Sequence, residues 1–355
     1  MISFCLIGKN EEKVLDQCLS ALVPYGYEIV FVDTGSTDGT RDIALKYTDK
    51  VYDFPWINDF SAARNFSISK ANSDYILPID CDEIVTAFDT KETERLIAKY
   101  PESVGRLTRV NEFSRGEDVF GANEPVSRLF SKKLYRYEGT IHEQIVRKDG
   151  AAAAFYHFPL TMVHSGYEGN LEIRRKKTLR NRELLFLELE SHPDDTYVLY
   201  QIGKTYYMEQ DYDNAVKYFG KALEYDMDPA LEYVQNCVEA YGYCLIYLKQ
   251  YDTALGLAGV YQEFAVSSDF VFLMGLIYMY NGMLDEAVAE FLKATGMPYV
   301  KVQGTNSFRA YYNIGVIYEC VGDKDNARKY YGMAGDFVPA RERIKDLYVE
   351  LPEEL

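Results

Sequence analysis

The chain has 355 residues, 48% of them hydrophobic and 26% charged, the balance of a folded globular protein of two domains at roughly 100–200 residues each. Acidic side chains outnumber basic ones 55 to 38, a formal net charge of −17. A chain this acidic is a poor partner for a phosphate backbone, so no nucleic-acid partner is expected.

Residues 1–166 alternate short apolar runs with helix-like stretches. Ile2–Ile7 reads as a buried strand, followed by an amphipathic segment bearing Val14, Leu15, Cys18, Leu19 and Leu22. A second strand, Glu28–Val32, ends in Asp33-Thr-Gly-Ser-Thr-Asp-Gly-Thr40. A helical stretch (Arg41–Tyr47), a short strand (Lys50–Asp53), a helix around Ala62–Ala71 and a strand at Tyr75–Ile79 come next. This βαβαβ order predicts a parallel sheet with crossover helices. In such sheets ligands bind beyond the carboxyl ends of the strands, which brings Lys9–Glu12, Asp33–Thr40 and Asp80–Glu83 to one edge.

From about residue 167 the pattern is helical, and from about 195 it repeats. Gly203, Gly242, Gly275 and Gly315 stand 39, 33 and 40 residues apart. Gly203 is followed by Tyr206, Ala215, Phe219 and Ala222, and Gly275 by Tyr278, Ala287, Phe291 and Ala294. Gly315 is followed at the same offsets by Tyr318, Ala327, Tyr331 and Ala334, with Pro339 beyond. In the Gly242 unit Leu245 and Ala258 replace the aromatics while Ala254 stays. This is the tetratricopeptide pattern of a helix–turn–helix unit of about 34 residues. Small residues let the helices approach, and the aromatic is expected to fill the gap to the next unit. The expected division is an α/β domain over 1–166, a basic linker helix over 167–194 and a repeat domain over 195–355. The basic stretch Arg174–Arg182 is either a solvated face or a cationic contact to a diphosphate or an acidic partner. Residues 1–166 hold 19 basic and 25 acidic side chains and residues 167–355 hold 19 and 30, so the repeats suit a neutral or basic ligand.

The N-terminus, Met1–Ile7, lacks basic residues and runs into Lys9-Asn10-Glu11, unlike a secretory leader. No apolar run approaches the ~18 residues of a membrane span. Cys5, Cys18, Cys81, Cys237, Cys244 and Cys320 show no C-x-x-C spacing and read as the reduced thiols of a cytoplasmic protein.

Asp80-Cys-Asp82-Glu83 follows an apolar strand at the ligand edge. Carboxylates spaced in this way can share a hard divalent cation, Mn2+ or Mg2+, or divide between a cation and a ribose. Asp33 can face a nucleobase while Asp38 or Thr37 caps the next helix. Asp59 or Ser61 can cap the helix that holds Arg64. A cation in a helix's first turn opposes the dipole, which a bound phosphate at Arg64 would explain. His142-Glu143 is the candidate catalytic pair, with Glu143 as base if burial raises its pKa. His164 can complete a metal shell or hold a turn.

Taken together, the strand into Lys9-Asn10-Glu11, Asp33-x-Gly-Ser-Thr-Asp-Gly-Thr40, Ala63-Arg64-Asn65 and Asp80-x-Asp82-Glu83 resemble a family 2 glycosyltransferase of the GT-A fold. Trp56-x-x-Asp59-Phe60-Ser61-x-Ala63-Arg64-Asn65, Arg128-Leu129-Phe130, His142-Glu143 and His164-x-Gly166-Tyr167, with repeats behind, are similar to the branch holding sublancin-type peptide S-glycosyltransferases and lipopolysaccharide-core glucosyltransferases. The resemblance implies a hexosyl- or N-acetylhexosaminyltransferase with a UDP-sugar donor. Asp33 would meet the uracil beside Gly8, Lys9, Asn10 and Glu11, and Arg64 would lie near the nucleotide. Asp80 would meet the ribose or sugar, and Asp82, with Asp80 and His164, would hold Mn2+ or Mg2+. It also implies inversion by single displacement with Glu143 as base, although the usual downstream Glu/Asp-Asp signature is absent. A peptide or protein acceptor is expected first and a surface-glycan or lipid-linked acceptor second; the third reading is a non-catalytic scaffold that works through its repeats. A homodimer through the repeats stays open.

Overall fold

The protein is described by a computed structural model over residues 1–115, 118–165, 171–298 and 300–348, with the side chains of 111–123, 165–177 and 348 outside the description. It divides into two compact units, Met1–Glu188 and Leu189–Leu355.

In the first unit the strands are β1 (Ile2–Gly8), β2 (Glu28–Asp33), β3 (Val51–Asp53), β4 (Tyr75–Pro78), β5 (Glu83–Phe88), β6 (Val104–Arg115), β7 (Asp118–Ser131), β8 (Tyr135–Glu138), β9 (Gln144–Arg147) and β10 (Phe155–Ser165). The helices are α1 (Leu15–Leu22), α2 (Thr40–Ala44), α3 (Phe60–Lys70), α4 (Thr90–Lys99) and α5 (Leu171–Ser191). Eight strands form one sheet in the order β3-β2-β1-β4-β7-β6-β10-β5, and β8 pairs with β9 separately. β3, β2, β1 and β4 run parallel, as the sequence predicts. β7 then joins β4 antiparallel, β6 joins β7 antiparallel and β5 joins β10 antiparallel. The result is a mixed sheet.

β1 is apolar apart from Ser3, because both of its faces are covered. Ile2, Phe4 and Leu6 pack with Leu15, Leu19 and Leu22 of α1, whereas Cys5 packs with Ile68 of α3, Phe130 and Tyr135. That is the period of two expected of a strand. α2 is shorter than the expected Arg41–Tyr47 helix. Its N-cap is Gly39, with no side-chain cap, and the Asp38 carboxylate accepts from the Thr40 amide at 3.0 Å.

Among its described residues the second unit has helices and no strand. α6 (Thr196–Met208) pairs with α7 (Tyr212–Leu223), and α8 (Glu232–Tyr247) with α9 (Tyr251–Ala254), a 3-10 turn (Leu255–Val260) and α10 (Tyr261–Phe264). α11 (Ser268–Tyr280) pairs with α12 (Leu284–Thr295), α13 (Phe308–Cys320) with α14 (Lys324–Met333), and α15 (Val338–Tyr348) follows. The glycine pattern is steric. A Cβ on Gly203 would lie 2.6 Å from the Phe219 ring, one on Gly275 2.7 Å from Phe291, and one on Gly315 2.5 Å from Tyr331. The aromatic packs on the glycine of its own unit, and it also shares a core with the next unit, Phe219 with Cys237 and Cys244 of α8 and Phe291 with Ala310, Ile314 and Ile317 of α13. In the degenerate unit Leu257 and Leu273 cover Gly242. The long spacing from Gly275 to Gly315 is explained by a connection after α12, where Asp269 accepts from the amides of Lys301 and Val302 at 2.7 and 2.8 Å.

Candidate active site at the carboxyl ends of the central strands

The parallel register puts Gly8 of β1 beside Asp33 of β2. Beyond β4 the Ile79 amide donates to the Cys5 carbonyl at 3.1 Å. Asp33, the Gly8–Glu11 loop and the Asp80–Glu83 turn thus leave adjacent strand ends, the outer two about 10 Å apart at the usual strand spacing. Gly8 is required by close approach, since a Cβ there would lie 2.9 Å from both Cys81 Sγ and the Phe31 ring. The two loops brace each other. Asn10, in the left-handed region at φ 59°, which Asn tolerates better than most residues, donates its amide to Ser36 Oγ at 3.0 Å and accepts from the Thr37 amide at 2.8 Å. The Glu11 amide donates to Thr40 Oγ1 at 2.7 Å. Asp33 is buried, and its Oδ1 accepts from the Ser36 amide at 2.9 Å and the Ser36 hydroxyl at 2.6 Å. Lys9 lies exposed at this rim.

α3 supplies Arg64. Asp59 is its N-cap, accepting from the Ala62 amide at 2.8 Å, which decides between the two expected caps. Arg64 lies in the second turn, so the first-turn dipole argument for a phosphate is corrected. Its charge is met by carboxylates instead: Nη2 donates to Asp80 Oδ1 at 2.7 Å and Nε to Glu143 Oε1. The same helix anchors the segment that leads to Glu143. Asn65 donates to the Tyr137 carbonyl and accepts its amide at 2.8 and 3.0 Å, Ser61 donates to the Gly139 carbonyl at 2.6 Å, and the Phe60 amide donates to the Thr140 carbonyl at 2.9 Å. His142 turns the chain at φ 52°.

A second arginine, Arg128 of β7, joins this group. Its Nη2 donates to Asp80 Oδ2 at 2.7 Å and to Glu83 Oε1 at 3.1 Å. Arg109 reaches Glu83 at 3.4 Å and Glu124 at 2.7 Å. Charges alternate along Glu143, Arg64, Asp80, Arg128, Glu83, Arg109 and Glu124. Burial alone would raise the Asp80 pKa, but the Arg128 and Arg64 charges outweigh it and hold the carboxyl far below the ordinary carboxylate range. Burial would likewise lower both arginines, and the facing carboxylates raise them instead. Among the described residues, the buried Arg64 Nη1, Arg128 Nε and Tyr137 hydroxyl meet no hydrogen-bond partner.

Asp82 and His164 meet at 3.4 Å between carboxylate and Nε2, both partly open to solvent. The Asp82 hydrogen bond raises the His164 pKa, against burial. Among the described residues no three His, Cys, Asp or Glu side chains converge as metal ligands. An open carboxylate–imidazole pair still fits Mn2+ or Mg2+, which take most of their shell from water and substrate phosphates. Asp80, the third expected ligand, gives one oxygen to each arginine. Gly166, Tyr167 and the side chains of Arg174, Arg175, Lys176 and Lys177 lie outside the described residues. Arg180 of the basic stretch sits 5.4 Å over the Phe60 ring.

Sequence reasoning singled out Asp33, Arg64, Asp80, Asp82, Glu143 and His164, and the fold brings Arg64, Asp80 and Glu143 into contact and Asp82 onto His164. It gave no role to Arg128 or Glu83. The available signal was an arginine inside a strand, next to the buried Leu129 and Phe130.

Residues 3–139 match the family Glycosyl transferase family 2. Residues 196–229, 268–298 and 308–332 match Tetratricopeptide repeat families. A TPR repeat-containing protein of Synechococcus elongatus is 28% identical over 244 residues, 65% of this chain and 59% of that protein. The SPbeta prophage-derived glycosyltransferase SunS of Bacillus subtilis is 28% identical over 236 residues, 61% of this chain and 52% of its own length. An uncharacterized glycosyltransferase of Rickettsia typhi is 27% identical over 154 residues, 41% of this chain and 52% of that protein. The chain thus spans between half and three fifths of the length of these relatives. Among solved structures, MamA covers 51% of this chain and 99% of its own at 21% identity, with a TM-score of 0.40. No helix among the described residues is long and apolar enough to cross a membrane.

Proposed function

We propose that this chain, a family 2 glycosyl transferase domain followed by tetratricopeptide repeats, transfers a sugar with inversion from a UDP-sugar to a peptide or protein acceptor. The observation that carries the reading is Arg64, which joins Asp80 of the D-x-D turn to Glu143 across buried space. A scaffold has no use for a buried arginine that ties a candidate donor site to a candidate base.

In this reading Asp33 and the Gly8–Glu11 backbone border the nucleobase. Arg64 lies near the nucleotide, and Asp80 lies at the ribose or sugar while holding both arginines. Asp82 and His164 hold the divalent cation, which when bound offsets charge on the leaving diphosphate. The acceptor heteroatom forms its bond to the anomeric carbon as the bond from that carbon to the diphosphate oxygen breaks. The acceptor proton passes to Glu143, and UDP leaves with the electron pair. Glu143 Oε1 is engaged by Arg64, so Oε2 is the oxygen that takes the proton. His142, which turns the chain into Glu143, sets the direction of that carboxylate.

The acceptor assignment rests on the repeats and on the family resemblance. Stacked helical units present extended surfaces suited to chain-like ligands, and the acidic excess of this half suits a neutral or basic peptide. The experiment is UDP-sugar turnover with Mn2+ against EDTA, over a panel of donors and with peptide, glycan and lipid-linked acceptors. Metal-dependent transfer to peptide supports the proposal. Transfer only to glycan or lipid-linked acceptors overturns the acceptor assignment, and absence of both donor binding and hydrolysis with every donor overturns the enzyme reading.

A further inference from the structure

The Asp80–Glu83 turn is closed twice over. The Glu83 amide donates to the Asp80 carbonyl at 3.0 Å, and Glu83 Oε2 accepts from the Asp80 amide at 2.9 Å. Arg128 then spans the two carboxylates with one nitrogen, Asp80 Oδ2 at 2.7 Å and Glu83 Oε1 at 3.1 Å. Backbone amide, Glu83 carboxylate, Arg128 guanidinium and Asp80 carboxylate thus make one closed ring. Asp82 lies inside the turn that this ring fixes and meets His164 on its open side. Glu83 is 1% exposed and Arg128 7% exposed, so water cannot replace either partner. Register explains how Arg128 arrives. β7 borders β4 with Phe130 opposite Ile76, which brings Arg128, two residues away on the same face, level with the end of β4.

We propose that Arg128 is a positioning residue of the donor site: by clamping Asp80 to Glu83 it sets where Asp82 stands opposite His164. The inference rests on the donor-site reading above and adds a residue that reading does not use. Arg128 touches neither donor nor acceptor; its effect passes through Asp80 and Glu83. Both contacts come from Nη2, at the far tip of the guanidinium, a point that the shorter lysine side chain does not reach from the same backbone position.

The test is the UDP dissociation constant with Mn2+ and with EDTA, for the wild type, R128K and K50M. Lys50 pairs with Glu28 away from the D-x-D turn, so K50M controls for the loss of an ion pair. Wild type is expected to bind UDP more tightly with Mn2+. In R128K that advantage is expected to shrink by roughly tenfold or more, the usual scale for residues that orient metal ligands, with the EDTA value and the thermal midpoint little changed. K50M is expected to keep the wild-type ratio. An unchanged ratio in folded R128K overturns this inference alone, as does an equal loss in K50M. A wild type that binds no UDP, or binds it without regard to Mn2+, overturns the donor-site reading and this inference with it. If R128K does not fold, E83Q reads the same ring, since glutamine accepts the Asp80 amide and offers Arg128 no charge. A reduced Mn2+ advantage in E83Q supports the clamp, and a wild-type ratio overturns it.

Discussion

Asp80→Asn is the perturbation that probes the charge network most directly. The substitution keeps the shape and removes the charge that both arginines face, each at 2.7 Å. Arg64 keeps Glu143 and Arg128 keeps Glu83, so neither is stranded. Removing one partner of a fully buried pair costs about 3–5 kcal/mol, whereas an exposed pair is worth at most about 1 kcal/mol. The Asp80 side chain is 31% exposed and each arginine 9%, and both arginines keep a second carboxylate, so the expected cost is about 2 kcal/mol, between those limits. A pH signature accompanies it. Asp80 has its pKa depressed below the ordinary 3.8, so its stabilisation is complete above about pH 4 and is lost as pH falls toward the folded value. Below pH 4 the unfolded state binds the extra proton, and stability falls by up to about 1.4 kcal/mol per pH unit for this one group. D80N is expected to lose that part of the slope. The assay is urea unfolding followed by tryptophan fluorescence between pH 2 and pH 7. The chain has a single Trp, Trp56, and it lies in the first unit, so the signal reports that unit. A cost under 1 kcal/mol at pH 7, or equal slopes below pH 4 in both proteins, would refute the argument.

Four further outcomes are expected. Asp82→Ala should abolish Mn2+-dependent transfer while shifting the unfolding midpoint of the first unit little, since Asp82 is partly solvent-exposed; near-wild-type turnover removes it from the metal site. Glu143→Gln should lower transfer by roughly 10²- to 10⁴-fold, the scale of general-base loss, and UDP binding far less; an equal fall in both assigns Glu143 to the donor site instead. Gly315→Ala should destabilise the repeats by about 1–3 kcal/mol through overpacking, because the new Cβ would meet Tyr331 at 2.5 Å. Gly332→Ala in α14, where a Cβ meets nothing within 4 Å, should stabilise them by up to about 1 kcal/mol through helix propensity. Chemical denaturation followed by circular dichroism separates the two glycine variants.

The parallel half of the sheet was legible because each of its strands is an apolar run ended by a polar cluster, and parallel strands put those clusters at one edge. Asp82 and His164 could be named together from that logic and from resemblance, although 82 positions separate them. The antiparallel half was less legible. β6 and β7 carry Arg106, Arg109, Arg128 and Glu124 among their apolar residues, so their alternation is broken. A charged residue in a strand reads as solvent-facing until its partner is known. Arg128 is the case in point, since its two carboxylates lie 48 and 45 positions away. The local signal, an arginine beside the apolar Leu129 and Phe130, does not say which carboxylates it meets.

The same distinction separates what a spacing can and cannot give in the repeats. Glycine, aromatic and alanine at fixed offsets identified the units, because each offset is a helix-packing requirement with little freedom. The spacing alone did not say what the aromatic packs on within its own unit. A ring placed 16 residues after the glycine lies on the returning helix of the same unit, and the 2.5–2.7 Å approach to a would-be Cβ at Gly203, Gly275 and Gly315 identifies the glycine as its seat. The second unit supports this by exception. With Ala258 at the aromatic position, no ring fills the seat, and Leu257 and Leu273 close over Gly242 instead. There the returning helix breaks after Ala254 into a 3-10 turn. An aromatic restored at 258 would therefore need Leu257 to yield its place over Gly242.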